Sequence, residues 1–318
     1  MTPPDFAAEF QARRYVLMVV AIAGGVMTLL AALNFWVDPN AYFGRNTLGF
    51  YNVTAERQFK LLGLQRHAND AVLLGNSKAA MANTTLVTQP LHFFNAGVGG
   101  SMIENDLEML QHVPAASPLV VVELDYLQFS NSCALGEHLP LPDTLHNKLD
   151  NLLSLQAVGG SFKTLASAWF HQPPNYLADG TFVPTGWFDH YDHGDSIVHA
   201  QMLDNYETLL RGYKFVPERL AMLEPLRAAL EKRGQPFLVY MIPVDTEEMV
   251  RIRRVGLGPA FTAWQARVHQ VFPEVVDLTD STYADPRNFY RQDVVHPYPD
   301  IGGEIIQKEV LPKLGKKD

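Results

Sequence analysis

The chain has 318 residues, 47% of them hydrophobic, a formal net charge of −9 and a single cysteine, Cys133. That length buries a sizeable core in one large domain or two small ones, and the acidic balance argues against a nucleic-acid partner, since no basic stripe is present to follow a phosphate backbone. One cysteine excludes an intrachain disulfide and a Cys-based zinc site, and is compatible with the cytoplasm or a bacterial periplasm.

The charges of Asp5, Glu9, Arg13 and Arg14 cancel, and residues 15–37 (YVLMVVAIAGGVMTLLAALNFWV) carry none, so the whole −9 falls in residues 38–318. At about 1.5 Å per residue this apolar run spans a hydrocarbon core of about 30 Å. Arg13 and Arg14 precede it and Phe35-Trp36 close it as an interfacial belt does. It is long for a cleaved signal and ends in no A-x-A site. The expectation is a cytoplasmic tail (1–14), a single transmembrane anchor (15–37) and the remainder across the membrane.

Residues 38–60 open on a segment rich in turn formers and read as a linker, with a short amphipathic helix predicted at 55–67. Strands are predicted at 71–74, 92–95, 119–124, 237–242 and 274–278. Each is a short apolar run without strict alternation, as in strands covered on both faces. Helix patterns fall at 102–113, 215–233, 259–271 and 301–314. This alternation predicts an α/β domain over 61–318, with a parallel sheet and helices on both faces, and places its site at the carboxyl ends of the strands. The stretch from about 130 to 213 is too long for a crossover. It reads as an insertion over one sheet edge, with helices at 150–156 and 161–169.

Three segments carry chemistry. VLLGNSKAAM puts Ser77 just past the first strand, where it serves either as a nucleophile or as a helix cap. FFNAGVGGSM places Asn95, Gly97, Gly99 and Gly100 at the end of the second strand, where glycines let backbone N–H groups approach a ligand. RQDVVHPYPDIGG sets Asp293 three residues before His296 in the last loop, where the carboxylate can orient the imidazole toward Ser77.

In this order, G-x-S, N-x-G-x-x-G and D-x-x-H, the segments resemble the SGNH (GDSL-type) hydrolase superfamily, over roughly residues 70–314 with the insertion unmatched. The resemblance implies a flavodoxin-like α/β/α sandwich with a five-stranded parallel sheet, Ser77 as nucleophile, His296 as base, Asp293 as its partner, and the amides of Ser77 and Gly100 as the oxyanion hole. It implies no cofactor. The G-x-N-D motif of many members, whose Asn completes that hole, is absent: VVVELDYLQFS (120–130) carries Asp125 and Tyr126 there. A carboxylate repels an oxyanion, so Asp125 is expected instead to bind an Arg or Lys or to build the turn.

Together with VDPN-x-x-F-G after the anchor, these features resemble the membrane-anchored SGNH-like proteins that accompany membrane-bound O-acyltransferases. The implied activity is transfer of an acetyl or similar group to a cell-surface polysaccharide, with esterase activity or a non-catalytic accessory role as alternatives. The implied partners are an acyl donor, a polysaccharide acceptor and a membrane-bound O-acyltransferase. The implied membrane is the bacterial inner membrane, and its implied far side is periplasmic or extracellular. Asn95, Gly97, Asp125, Tyr126 and Trp187 are the candidate substrate contacts. Trp187 stands among the insertion aromatics Trp169, Phe170, Tyr176, Phe182, Phe188 and Tyr191, most of which are expected to pack. The loop DHYDHGD (189–195) reads as a solvated acidic loop rather than a metal site.

Overall fold

Apolar runs too short to make stable helices pair instead as strands. In a computed structural model, which describes residues 6–87, 91–131, 145–184, 196–291, 293 and 295–315, five of them form one parallel sheet. The strands are β1 (Ala71–Leu74), β2 (Phe93–Asn95), β3 (Val120–Leu124), β4 (Phe237–Met241) and β5 (Val276–Asp277), in the order β2-β1-β3-β4-β5. Val72 is paired with Phe94 on one side and Val120 on the other. The chain therefore leaves β1 toward one edge and returns on the opposite side at β3. The crevice beyond the carboxyl end of β1 is the point where strand order switches.

Alternate residues of each strand enter two cores. Val72, Leu74, Val120, Val122 and Met241 pack with Ile103, Leu226 and Trp264 on one face. Ala71, Leu73, Val121 and Tyr240 pack with Ile305, Ile306 and Val310 on the other. Full burial of such aliphatic side chains contributes about 1.5–3 kcal/mol each, and burial on both faces explains why the strands lack polar alternation.

Several expected elements are divided. The helix anticipated at 215–233 starts only at Pro217, because Phe215 is extended against Ser130 and the amide of Val216 donates to the Phe129 carbonyl, and it is divided into Pro217–Leu220 and Leu223–Arg233. Buried Arg219 pairs there with Glu104 at 2.6 Å. The helix anticipated at 150–156 breaks at Ser154, whose hydroxyl caps Leu155–Phe170 by accepting from the Ala157 amide at 3.1 Å. The final helix, Pro299–Ile305, continues as a π turn (Ile306–Val310) and a 3₁₀ turn (Leu311–Lys313), since Pro312 offers no N–H to sustain the α pattern. The helices Ser196–Arg211 and Thr246–Arg254 had not been anticipated.

The expected linker is built into the domain. Phe50–Tyr51 pairs antiparallel with Tyr176–Leu177 of the insertion, and the Asp38 carboxylate accepts from the amides of Phe43 and Arg45 at 3.0 and 2.9 Å. Buried Asn40 and Asn52 bond to Asn151 at 2.9 Å and Ser167 at 3.1 Å. The insertion also seals the β2 edge, where the Asn95 amide donates to Asp179 O at 2.7 Å. Lys60 Nζ joins the two by donating to Asn95 O at 2.8 Å and Gly180 O at 2.6 Å. Burial holds this lysine down at about 8.

The helix Phe6–Val37 contains one run, Gln11–Val37, long and apolar enough to cross a membrane. Residues 11–29 are exposed along their whole length, and the helix meets the domain only through its last two turns.

Candidate active site

Ser77 is the single residue of 71–82 that is not buried, because of the turn that precedes it. Gly75 has φ of +149°, and a Cβ there would lie 2.7 Å from that of Ala79 and 2.8 Å from that of Glu123, so only glycine fits. Asn76 then caps the helix Ser77–Met81, its side chain accepting from the Lys78 amide at 2.8 Å. Cap and exposed serine are neighbours, and Ser77 is left facing a cleft.

His296 arrives from 219 residues away by close packing of the helix Pro299–Ile305 on the end of the helix Ser77–Met81. Gly302 and Gly303 lie against Ala82 and Asn83, so closely that an added Cβ would come within 2.7 Å of Ala82 Cβ and 2.4 Å of Asn83 O. Asn83 also donates its amide to Pro299 O at 2.9 Å. The loop before that helix is closed by Tyr290 N–H to His296 O at 3.1 Å and Asp293 N–H to Tyr290 O at 3.2 Å. His296 Nε2 lies 2.7 Å from Ser77 Oγ, and its Nδ1 lies 2.5 Å from Asp293 Oδ2. With the Nδ1 proton donated to Asp293, Nε2 is free to accept from the serine hydroxyl.

The three expected triad residues are thus brought together. Gly99 and Gly100 line the same cleft. Among the described residues the amides of Ser77 and Gly100 donate to no protein acceptor, whereas that of Gly99 donates to Glu56 at 3.3 Å. Two backbone donors without a protein acceptor, on residues that share a cleft with a serine–histidine pair, are the groups a developing oxyanion needs.

Most of the expected substrate contacts lie behind the cleft wall. Asn95 is fully buried, and its side-chain amide donates to the carbonyls of Ala79 (2.7 Å) and Ala82 (3.0 Å). It satisfies acceptors that a five-residue helix leaves unpaired. Gly97 packs under that helix, where a Cβ would stand 2.6 Å from the Ala80 nitrogen. Asp125 is buried beneath the nucleophile turn, accepting from Asn76 Nδ2 at 2.8 Å and pairing with Lys78 Nζ at 3.3 Å. Tyr126 is buried beside it, its hydroxyl 2.6 Å from both Tyr206 OH and Glu248 Oε1. Trp187 and the loop 189–195 lie outside the described residues.

This back cluster is rich in buried ionisable groups and, among the described residues, reaches the cleft only through half-buried Tyr206. Burial opposes the charge of Lys78, but Asp125, Glu248 and Glu123 together hold it above the ordinary lysine value. Burial pushes Glu248 up to about 7, against the pull of Lys78 and two tyrosine hydroxyls, and raises Glu123 well above the carboxylate range. One cation thus balances Asp125, and the neighbouring carboxyls keep their protons more readily.

The cleft, about 1100 Å³, draws its other walls from residues that were not singled out in the sequence. Asn52 and Glu56 come from the supposed linker, Lys163, Ser167 and Asn175 from the insertion, and Asn205 and Tyr206 from the helix Ser196–Arg211. The only sequence signal for them was the polar, turn-rich character of these stretches. Tyr176 and Phe182 both pack together and line the cleft.

No family model matches this chain, and no curated protein or solved structure is significantly similar to it.

Proposed function

We propose that this chain is a membrane-anchored serine O-acyltransferase of SGNH type, built as a flavodoxin-like α/β/α sandwich, that acylates hydroxyls of a cell-surface polysaccharide. The observation that carries this reading is the hydrogen-bonded line Asp293–His296–Ser77 at the switch point of a parallel sheet, open to a large cleft. The strand order β2-β1-β3-β4-β5 supports the flavodoxin-like architecture. The apolar run Gln11–Val37 supports a single-pass anchor, with Arg13 and Arg14 holding the N-terminus in the cytoplasm and the domain on the outer side of a bacterial inner membrane.

The reaction has two halves. Ser77 Oγ attacks the carbonyl of an acyl donor as His296 Nε2 takes its proton. The oxyanion sits on the amides of Ser77 and Gly100. Collapse expels the donor's leaving group, which receives the proton from His296 and leaves an acyl-serine. A sugar hydroxyl then attacks this ester while His296 accepts its proton, and the second collapse returns that proton to Ser77 and releases the acylated sugar. Water in place of the sugar makes the same site an esterase, so the ratio of transfer to hydrolysis distinguishes the two. A membrane-bound O-acyltransferase partner would supply the donor on the outer face.

The test is labelling of the full chain in detergent with a fluorophosphonate and acetyl release from an aryl acetate, beside Ser77→Ala, followed by candidate polysaccharides as acceptors. Both signals are expected in the wild type and absent in the variant. A folded wild-type chain that neither labels nor releases acetyl would overturn the catalytic reading in favour of an accessory subunit.

A further inference from the structure

The insertion helix Leu155–Phe170 is inverted relative to a helix on a water-soluble surface. Its protein-facing side carries Ala157, Gly160, Ser161, Thr164 and Ser167, all buried, while Leu155, Phe162, Trp169 and Phe170 are 86%, 59%, 71% and 71% exposed. Residues 155, 162 and 169 recur every seven positions and so share one line along the helix. Leu145 and Leu149 of the preceding helix, Leu145–Leu153, add to the exposed apolar surface. A patch of this kind on an otherwise acidic domain marks an interaction surface.

The anchor supplies the depth at which this patch lies. Counted from Arg14 at about 1.5 Å per residue, a hydrocarbon core of about 30 Å ends some twenty residues on, near Asn34. Asn34 is also where the exposed helix first becomes fully buried. Its side chain accepts from Ser161 Oγ at 2.8 Å and donates to the Leu152 carbonyl at 2.8 Å. Both insertion helices are therefore fastened to the anchor at the level of the outer interface, beside exposed Trp36. Lys163, next to Phe162, supplies the cation that interfacial helices carry at their polar edge.

We propose that the helix Leu155–Phe170 lies in the lipid headgroup layer of the outer leaflet, with Leu155, Phe162 and Trp169 immersed, so that the Ser77 cleft opens at the membrane surface. The occupant of the patch is lipid, because the patch continues the apolar surface of the anchor at the interfacial depth. Lys163 and Ser167 of this helix line the cleft, so the wall nearest the bilayer belongs to the site itself. An acyl donor carried in or handed across the membrane then reaches Ser77 without crossing bulk water. The inference rests on the anchor reading given above.

The test uses the full chain in phosphatidylcholine/phosphatidylglycerol vesicles, in a Cys133→Ser background. An environment-sensitive fluorophore is placed through Phe162→Cys, Trp169→Cys, Leu29→Cys or Lys232→Cys, the last being exposed at the opposite end of the sheet. Labels at 162 and 169 are expected to lose most of their emission to headgroup-proximal nitroxide lipids and to resist iodide. The label at 29 is expected to be quenched by mid-chain nitroxides, and that at 232 by iodide alone. A label at 162 that behaves like the one at 232, while 29 is lipid-quenched, overturns the inference and leaves the anchor standing. A label at 162 shielded from both lipid and iodide overturns it in favour of a protein-covered face. A label at 29 open to iodide removes the anchor reading and the inference with it.

Discussion

Ser77 and Lys78 are neighbours in the chain, and each faces a carboxylate-centred network, yet the two networks lie on opposite sides of one turn. In front, Asp293 holds His296, which holds Ser77, and all three line an open cleft. Behind, Asp125 holds both Lys78 and Asn76, and every member is buried. The aspartate in each does different work because the front network is partly exposed and the back one is buried. A partly solvated hydrogen-bonded line can exchange protons with a substrate. A buried ion pair cannot, and its effect is to fix the backbone that aims Ser77.

The largest effect that would break this comparison lies in front. Ser77→Ala is expected to lower acyl transfer by about 10⁶-fold, with the urea midpoint unchanged. Asp293→Asn is expected to cost about 10⁴-fold through loss of the correct imidazole tautomer, again at unaltered stability; a rate measured with an aryl acetate would show it. Behind the turn the order reverses. Lys78→Met strands the Asp125 carboxylate and is expected to cost about 3–5 kcal/mol of stability, read by urea denaturation, with Lys78→Met/Asp125→Asn recovering most of it. A Lys78→Met chain of normal stability that no longer labels would place Lys78 in the chemistry and erase the distinction.

The smallest effect per step is a pH slope. Burial raises the Glu248 carboxyl from 4.5 to about 7. Between those values the folded chain holds a proton that the unfolded chain has released, so stability falls as pH climbs through the window. The expected slope is about 1.4 kcal/mol per pH unit for this group. Asp106, raised from 3.8 to about 7 by burial, slopes the same way. Urea midpoints from pH 4.5 to 7 are therefore expected to fall in the wild type and to fall less in Glu248→Gln.

Legibility in the sequence followed the range of the interactions. The five strands were anticipated to within a residue or two because an apolar run of four to six residues, covered on both faces, carries its own signal. The Ser77 turn and the Asp293–His296 loop were legible for a similar reason: each is a local geometry written in adjacent residues. Asn95 was placed correctly along the chain but expected in the cleft. Of the two places expected for Asp125, a substrate contact or a partner for an Arg or Lys in the turn, the pair with Lys78 is the one that forms. An amide or carboxylate at a strand end looks the same whether it meets a ligand or a neighbouring element's carbonyls and cations. The segment read as a linker packs into the domain instead, because Asn40 and Asn52 find their partners in Asn151 and Ser167, more than a hundred residues away.

What the sequence alone determined is the set of local elements: an uncharged run long enough to span a bilayer, strands too short and apolar to be anything else, and a serine, an aspartate and a histidine each in a loop at the end of an element. Tertiary structure decided everything that depends on which face meets which. Glycine-mediated packing of the helix Pro299–Ile305 on the helix Ser77–Met81 brought His296 to Ser77. Burial separated Asp125 from the cleft. The docking of the insertion on Asn34 turned an ordinary-looking helix so that its large apolar side chains point outward. Hydrophobic periodicity fixes which residues share a face, but only the packing of distant segments decides whether that face meets the core, the cleft or the membrane.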